Sequence, residues 1–118
     1  MRIKTYASVL ANDFDEKKFL LSINKFRKGA LHYKLWLLIL DNYFNKIKTT
    51  SESVMTHLSK NASRKTISVL VADLEREQLV TRNKSISDNR IVLIEPTHLT
   101  IQEFNEWIQT FKLELNSV

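Results

Sequence analysis

The chain has 118 residues, a length that suits one domain with a real hydrophobic core, and its 18 basic against 13 acidic side chains give a formal net charge of +5. Cysteine is absent, which excludes disulfides, thiolate metal sites and cysteine nucleophiles, and a single glycine excludes a glycine-rich phosphate loop. The basic excess is uneven: residues 1–50 carry 10 basic and 4 acidic groups while residues 91–118 carry 1 and 4, so a polyanion is not expected at the C-terminal end.

Residues 1–10 alternate weakly in polarity and fit either an extended arm or the start of a helix. The opening stretch lacks the apolar core and small-residue cleavage site of a signal peptide, and the apolar run at residues 35–40 is too short for a bilayer. A cytoplasmic protein without membrane contact is expected. Asp13 and Glu16 have capping-box spacing, and Phe19, Ile23 and Phe26 follow at helical intervals, so a first helix is expected at residues 14–27, ended by Gly29. Residues 31–46 are apolar around almost the whole circumference, which makes that helix the hub of the core. Residues 47–50 read as a short strand. Thr49 and Glu52 then offer a capping box for a helix that turns Val54 and Leu58 inward, and residues 60–62 make a turn.

Ser63 is a good N-cap for the next helix, whose Ile67, Leu70, Val71 and Leu74 face inward while Arg64, Lys65, Ser68 and Asp73 face out. The period then changes. Leu79, Val80 and Thr81 have strand propensity, residues 83–89 are polar turn formers, and residues 90–94 read as a second strand that Pro96 stops. Helix, strand, basic turn and strand make a winged helix-turn-helix, in a fold that is mainly α with a small β-wing. Thr100 with Glu103 offers a last capping box, and the final helix carries Ile101, Phe104, Ile108, Phe111 and Leu115 at the seam spacing of paired helices. The whole of residues 1–118 is thus expected to be one winged-helix domain, with the helix-turn-helix and wing at about 47–96 and flanking helices at about 13–30 and 100–115.

The run TISVLVADLEREQLVTR followed by SDNR resembles the recognition helix and wing of the MarR family of bacterial transcription regulators, with that family's D-x-R wing signature at Asp88 and Arg90. The resemblance covers residues 35 to about 100. It departs at Gln78, where the family usually has Gly, so the helix must end without the usual left-handed glycine. The resemblance implies a homodimer joined through its N- and C-terminal helices on a pseudo-palindromic operator, and either an Asp88–Arg90 pair that shapes the wing or an arginine there that enters the groove. Members of that family often bind small aromatic ligands between the dimerisation region and the DNA-binding lobe, and Tyr33, Trp36 and Tyr43 are candidate residues for such an effector pocket, although aromatics at helical spacing are ordinarily core.

A recognition helix needs cationic, hydrogen-bonding side chains in its first turns, because only those turns reach base edges in the major groove. Arg64, Lys65, Thr66 and Ser68 meet that demand, Ser63 offers its backbone N–H to phosphate, and Arg82, Lys84, Ser85, Ser87, Asp88 and Arg90 form a wing suited to the DNA backbone or minor groove. Taken alone, either basic face is equally a solvated surface; together, in order and spacing, they favour double-stranded DNA. The seam of the last helix has two readings: closure against Phe19, Ile23 and Phe26 within the chain, or, as favoured here, a dimer interface of all eight residues. Scattered His32, His57 and His98 suggest neither catalysis nor a metal site, and no cofactor is expected. The leading expectation is a homodimeric, sequence-specific transcription regulator acting as a repressor by occlusion. Its competitors are a winged-helix protein-interaction module and a replication or segregation DNA-binding protein of a mobile element.

Overall fold

The computed structural model describes residues 2–16 and 20–118. The described elements run α1 (Tyr6–Glu16), α2 (Leu21–Phe26), α3 (Ala30–Phe44), α4 (Ser51–Leu58), α5 (Arg64–Arg76), β1 (Val80–Lys84), β2 (Val92–Pro96) and α6 (His98–Asn116). As its all-round apolar sequence requires, α3 is central: Leu35, Trp36, Ile39 and Leu40 are buried between α2, α4 and β2. Ile23 and Phe26 of α2, Val54 and Leu58 of α4, the inward face of α5, and Leu79, Val80 and Ile94 of the hairpin complete the same core. The two strands pair antiparallel from Val80 opposite Pro96 to Lys84 opposite Val92. The short strand expected at residues 47–50 reduces to one bridge between Thr50 and Leu93, supported by the Ile94 N–H donating to the Thr49 carbonyl at 2.8 Å.

Helix starts depart from the sequence reading in a consistent way. The single helix expected at residues 14–27 is two helices, and the first begins earlier, where Thr5 and Ser8 cap each other reciprocally: the Ser8 N–H donates to Thr5 Oγ1 at 3.1 Å and the Thr5 N–H to Ser8 Oγ at 3.0 Å. Asp13 is not a cap but a buried member of α1, accepting hydrogen bonds from Trp107 Nε1 at 2.6 Å and Arg27 at 3.2 Å. The start of α2 is capped from a distant part of the chain: Glu103 of α6 accepts from the Ser22 N–H at 2.8 Å and the Ser22 hydroxyl at 2.6 Å. Thr50 rather than Thr49 caps α4, with Ser53 completing the box. Thr97 rather than Thr100 caps α6, and Thr100 instead donates its hydroxyl to the Leu79 carbonyl at 2.7 Å. In the boxes at Thr5 and Thr50 a serine hydroxyl plays the part that the sequence reading looked for in a carboxylate.

Helix ends are also built without glycine. Gln78 adopts φ 62° after α5, where its N–H donates to the Glu75 carbonyl and the Leu79 N–H to the Leu74 carbonyl, both at 2.9 Å. That is a Schellman closure with glutamine in the left-handed position, and Lys46 (φ 59°) closes α3 in the same way. The backbone therefore reaches the left-handed turn that the absence of Gly argued against.

The molecule is long for its size. Its radius of gyration is 16.1 Å and its extents are 60 × 26 × 22 Å, whereas a compact chain of this length has a radius near 13.5 Å, about 2.5 Å less. At one end α1 packs along α6, which continues from the hairpin and also contacts α2 and β2.

Candidate nucleic-acid interface

Ser63 sets the start of α5. Its hydroxyl oxygen accepts from the Thr66 N–H at 3.2 Å and contacts Thr66 Oγ1 at 3.1 Å, so the Thr66 hydroxyl is part of the cap. With Ile67, Leu70, Val71 and Leu74 buried, Arg64, Lys65, Thr66 and Ser68 are all exposed. Arg64 is already engaged: its two terminal nitrogens reach the Glu52 carboxylate of α4 at 2.7 and 3.4 Å, and that hydrogen bonding holds the Glu52 carboxyl below its ordinary range. Lys65 makes no ion pair among the described residues.

The hairpin extends this surface. Arg82 of β1 donates from Nε and Nη2 to Glu75 Oε1 at 3.0 and 2.8 Å, which ties the wing to α5. Arg90 donates to both oxygens of Asp88, at 3.1 and 3.0 Å, and its backbone N–H adds a third bond to the same carboxylate, so these two residues fold the turn. Hydrogen bonding by Arg90 draws the Asp88 carboxyl below its ordinary range. Ser87 is exposed, but Ser85 is buried, its N–H donating to the Ile91 carbonyl at 2.8 Å and its hydroxyl 3.1 Å from that of Ser87. Ser85 therefore shapes the turn and leaves contact to its neighbours. Lys84 is exposed and makes no ion pair among the described residues, and Ile86 stands fully exposed at the tip. Residues 50–97 hold seven basic and six acidic side chains, so this end carries a net charge of only +1 despite its arginines.

The far end differs from the sequence expectation. Phe19 lies outside the described residues. Ile23 and Phe26 are fully buried in the chain's own core and offer no surface to a partner. Ile101, Phe104, Ile108, Phe111 and Leu115 are half-buried, with Phe104 edge-on to Trp36 at 5.5 Å and Phe111 stacked on Trp107 at 5.4 Å. The seam thus packs partly inside the chain. Of the two alternatives left open for residues 1–10, the helix is the one formed: α1 carries Tyr6, Leu10 and Phe14, 54–61% exposed along one face, with Ile3 ahead of them. Their spacing of four was visible, but without an assigned helix it had no face to define.

Tyr33, Trp36 and Tyr43 do not share a pocket. Trp36 is fully buried, Tyr33 lines a cavity of about 520 Å³ with Phe14, Arg27 and Trp107, and Tyr43 lines a separate cleft beside Lys46 and Ile94. Lys25 of α2 contacts Asp73 at 2.5 Å and Glu77 at 3.0 Å, joining α2 to the C-terminal half of α5. Among the described residues no cluster of three metal-ligating side chains occurs, and no helix is long and apolar enough to cross a membrane.

No protein-family model and no curated protein matches the sequence. Solved structures do. The chain aligns with the S. aureus MepR G34K mutant at a TM-score of 0.61 and 17% identity, over 97% of this chain and 82% of that one. It aligns with NadR in complex with 4-hydroxyphenylacetate at 0.59 and 15%, over 99% and 83%. The heme sensor protein PefR from Streptococcus agalactiae, in complex with heme, aligns at 0.56 and 21%, over 94% and 74%. These neighbours are winged-helix regulators of the MarR family, and at such identities the likeness is one of fold. The chain has the winged helix-turn-helix fold, mainly α with a two-stranded wing: α4 and α5 are the helix-turn-helix, and β1 and β2 are the wing.

Proposed function

We propose that the chain is a sequence-specific double-stranded DNA-binding transcription regulator of the MarR type that acts as a homodimer on a pseudo-palindromic operator. The observation that carries this reading is the exposed first turn of α5, where Arg64, Lys65, Thr66 and Ser68 follow the Ser63 cap and stand beside a wing bearing Lys84 and Arg90. A helix start of this kind presents hydrogen-bond donors to base edges, while its free backbone N–H groups favour phosphate. Repression by occlusion of the promoter is its simplest outcome. Dimerisation draws support from the elongated shape and from the exposed apolar face of α1 beside α6, an arrangement that leaves hydrophobic surface in water unless a second copy covers it. In this reading the interface combines Ile3, Tyr6, Leu10 and Phe14 with the outer parts of Ile101, Ile108, Phe111 and Leu115.

The test is fluorescence anisotropy of a generic duplex across salt concentrations, comparing the native chain with a Lys65→Ala, Lys84→Ala variant. These two lysines are chosen because no carboxylate pairs with them. Expected is binding that weakens with salt, with a log–log slope shallower by about 2 in the variant, since each of the two ammonium groups neutralises one phosphate. A folded protein that binds no duplex at low salt would overturn the DNA reading in favour of a protein partner for the same face.

A further inference from the structure

We infer that Val69 reads sequence, by packing against the C5-methyl group of a thymine in the major groove. The inference rests on the DNA-binding reading above and names the base that one position of α5 selects. Burial of Ile67, Leu70, Val71 and Leu74 fixes the opposite line of the helix as Lys65, Val69, Ala72 and Arg76. Val69 sits in the middle of that line and is 61% exposed. A β-branched residue is a poorer helix former than alanine, lysine or glutamine, and at this place it contributes nothing to the core. Lys65 at the N-terminal end of the line and the small Ala72 beside Val69 leave an apolar centre next to a group suited to phosphate or guanine, while Arg76 at the far end is held by Asp73 at 2.7 Å.

The chemistry of the groove narrows the partner. Base edges there present hydrogen-bond donors and acceptors, with one apolar exception, the thymine methyl. Valine has no hydrogen-bonding group, so it can favour a base only through that methyl. Four residues of helical rise separate Val69 from Lys65 by about 6 Å, close to two base steps of about 3.4 Å, so both side chains can address one half-site without crowding.

An operator is first selected from a random duplex pool with the full chain. Each thymine is then replaced in turn by deoxyuridine, which removes the methyl and keeps every hydrogen-bonding group. Expected is one position per half-site where affinity falls about four-fold, the worth of one buried methyl. Val69→Ala should be indifferent to that replacement with an unchanged salt slope, and Val69→Thr, which keeps one methyl, should retain the discrimination. The alanine variant should fold, since the site is exposed and alanine favours helix. Selected duplexes that bind tightly yet ignore every deoxyuridine, or a Val69→Ala chain as sensitive as the native one, would overturn the inference and leave the DNA reading intact. Failure to enrich any duplex would overturn both.

Discussion

The end of the molecule formed by α4, α5 and the hairpin meets its own structural demands, while the end formed by α1 and α6 does not. In the first, side-chain caps start both helices, the left-handed Gln78 closes α5, and Leu58, Ile67, Leu74 and Ile94 are sealed in the core. Its arginines are matched with carboxylates, Arg64 with Glu52, Arg82 with Glu75 and Arg90 with Asp88, while Lys65 and Lys84 make no ion pair among the described residues. In the second, Tyr6, Leu10 and Phe14 face water along a full helix, and the buried polar network of Asp13, Arg27 and Trp107 anchors one side only. One end hides most of its apolar side chains and ties its arginines to carboxylates; the other leaves a row of apolar side chains along α1 in water, the feature on which the proposed dimer rests.

Five variants would break or sharpen that contrast. Leu74→Ala opens a cavity in the sealed end and should lower unfolding free energy by about 3 kcal/mol in urea titration, whereas Leu10→Ala in the open end should cost a dilute monomer under about 0.5 kcal/mol. Leu10→Glu with Phe14→Glu should halve the mass in light scattering while leaving the far-ultraviolet circular dichroism per residue nearly unchanged; an unaltered mass would remove α1 from the interface. Gln78→Gly relieves a left-handed glutamine and should raise stability by about 0.5–1 kcal/mol, less than the full strain because glycine is freer when unfolded. The smallest effect concerns Asp73, whose pKa is lowered from 3.8 to about 2, first by its hydrogen bond from Lys25 and then by that from Arg76. A carboxyl with a depressed folded-state pKa stabilises above its unfolded value and loses that contribution as pH falls toward the folded value. The gap in urea midpoint between the native chain and Asp73→Asn should therefore be constant above about pH 4 and close toward about pH 2; a gap that persists at pH 2 would mean the ion pairs are not its source.

Much of the winged-helix end was legible because its signals are local. Ser63, the 67–70–71–74 stripe and the change of period at Leu79 lie within a few residues of the elements they specify. Even Pro96 marks the end of β2. The misses have two physical sources. Threonine and serine boxes at Thr5 and Thr50 carry the same reciprocal bonds as a carboxylate box but do not stand out in sequence, so the pattern points instead to the nearby Asp13 and Thr49. The α2 cap depends on Glu103, 81 residues away, and no local pattern can reveal it. Within the candidate site, sequence identified which side chains face outward, since the buried stripe fixes them. It could not reveal that Arg64 and Arg82 are tied to Glu52 and Glu75, because those pairs span 12 and 7 residues and depend on how elements meet. Nor could it foresee that Ser85 turns inward.

The near-neutral charge of the α4–α5–hairpin end has a consequence for how such a regulator would find its site. Loose association with arbitrary DNA scales with the number of phosphates a protein neutralises, and sliding depends on that association. Arginines that already hold carboxylates release few counterions on random sequence, so the protein would spend little time parked along the chromosome. Its search would run mainly through solution encounters, and a larger share of the molecules would be free to respond when an operator becomes vacant.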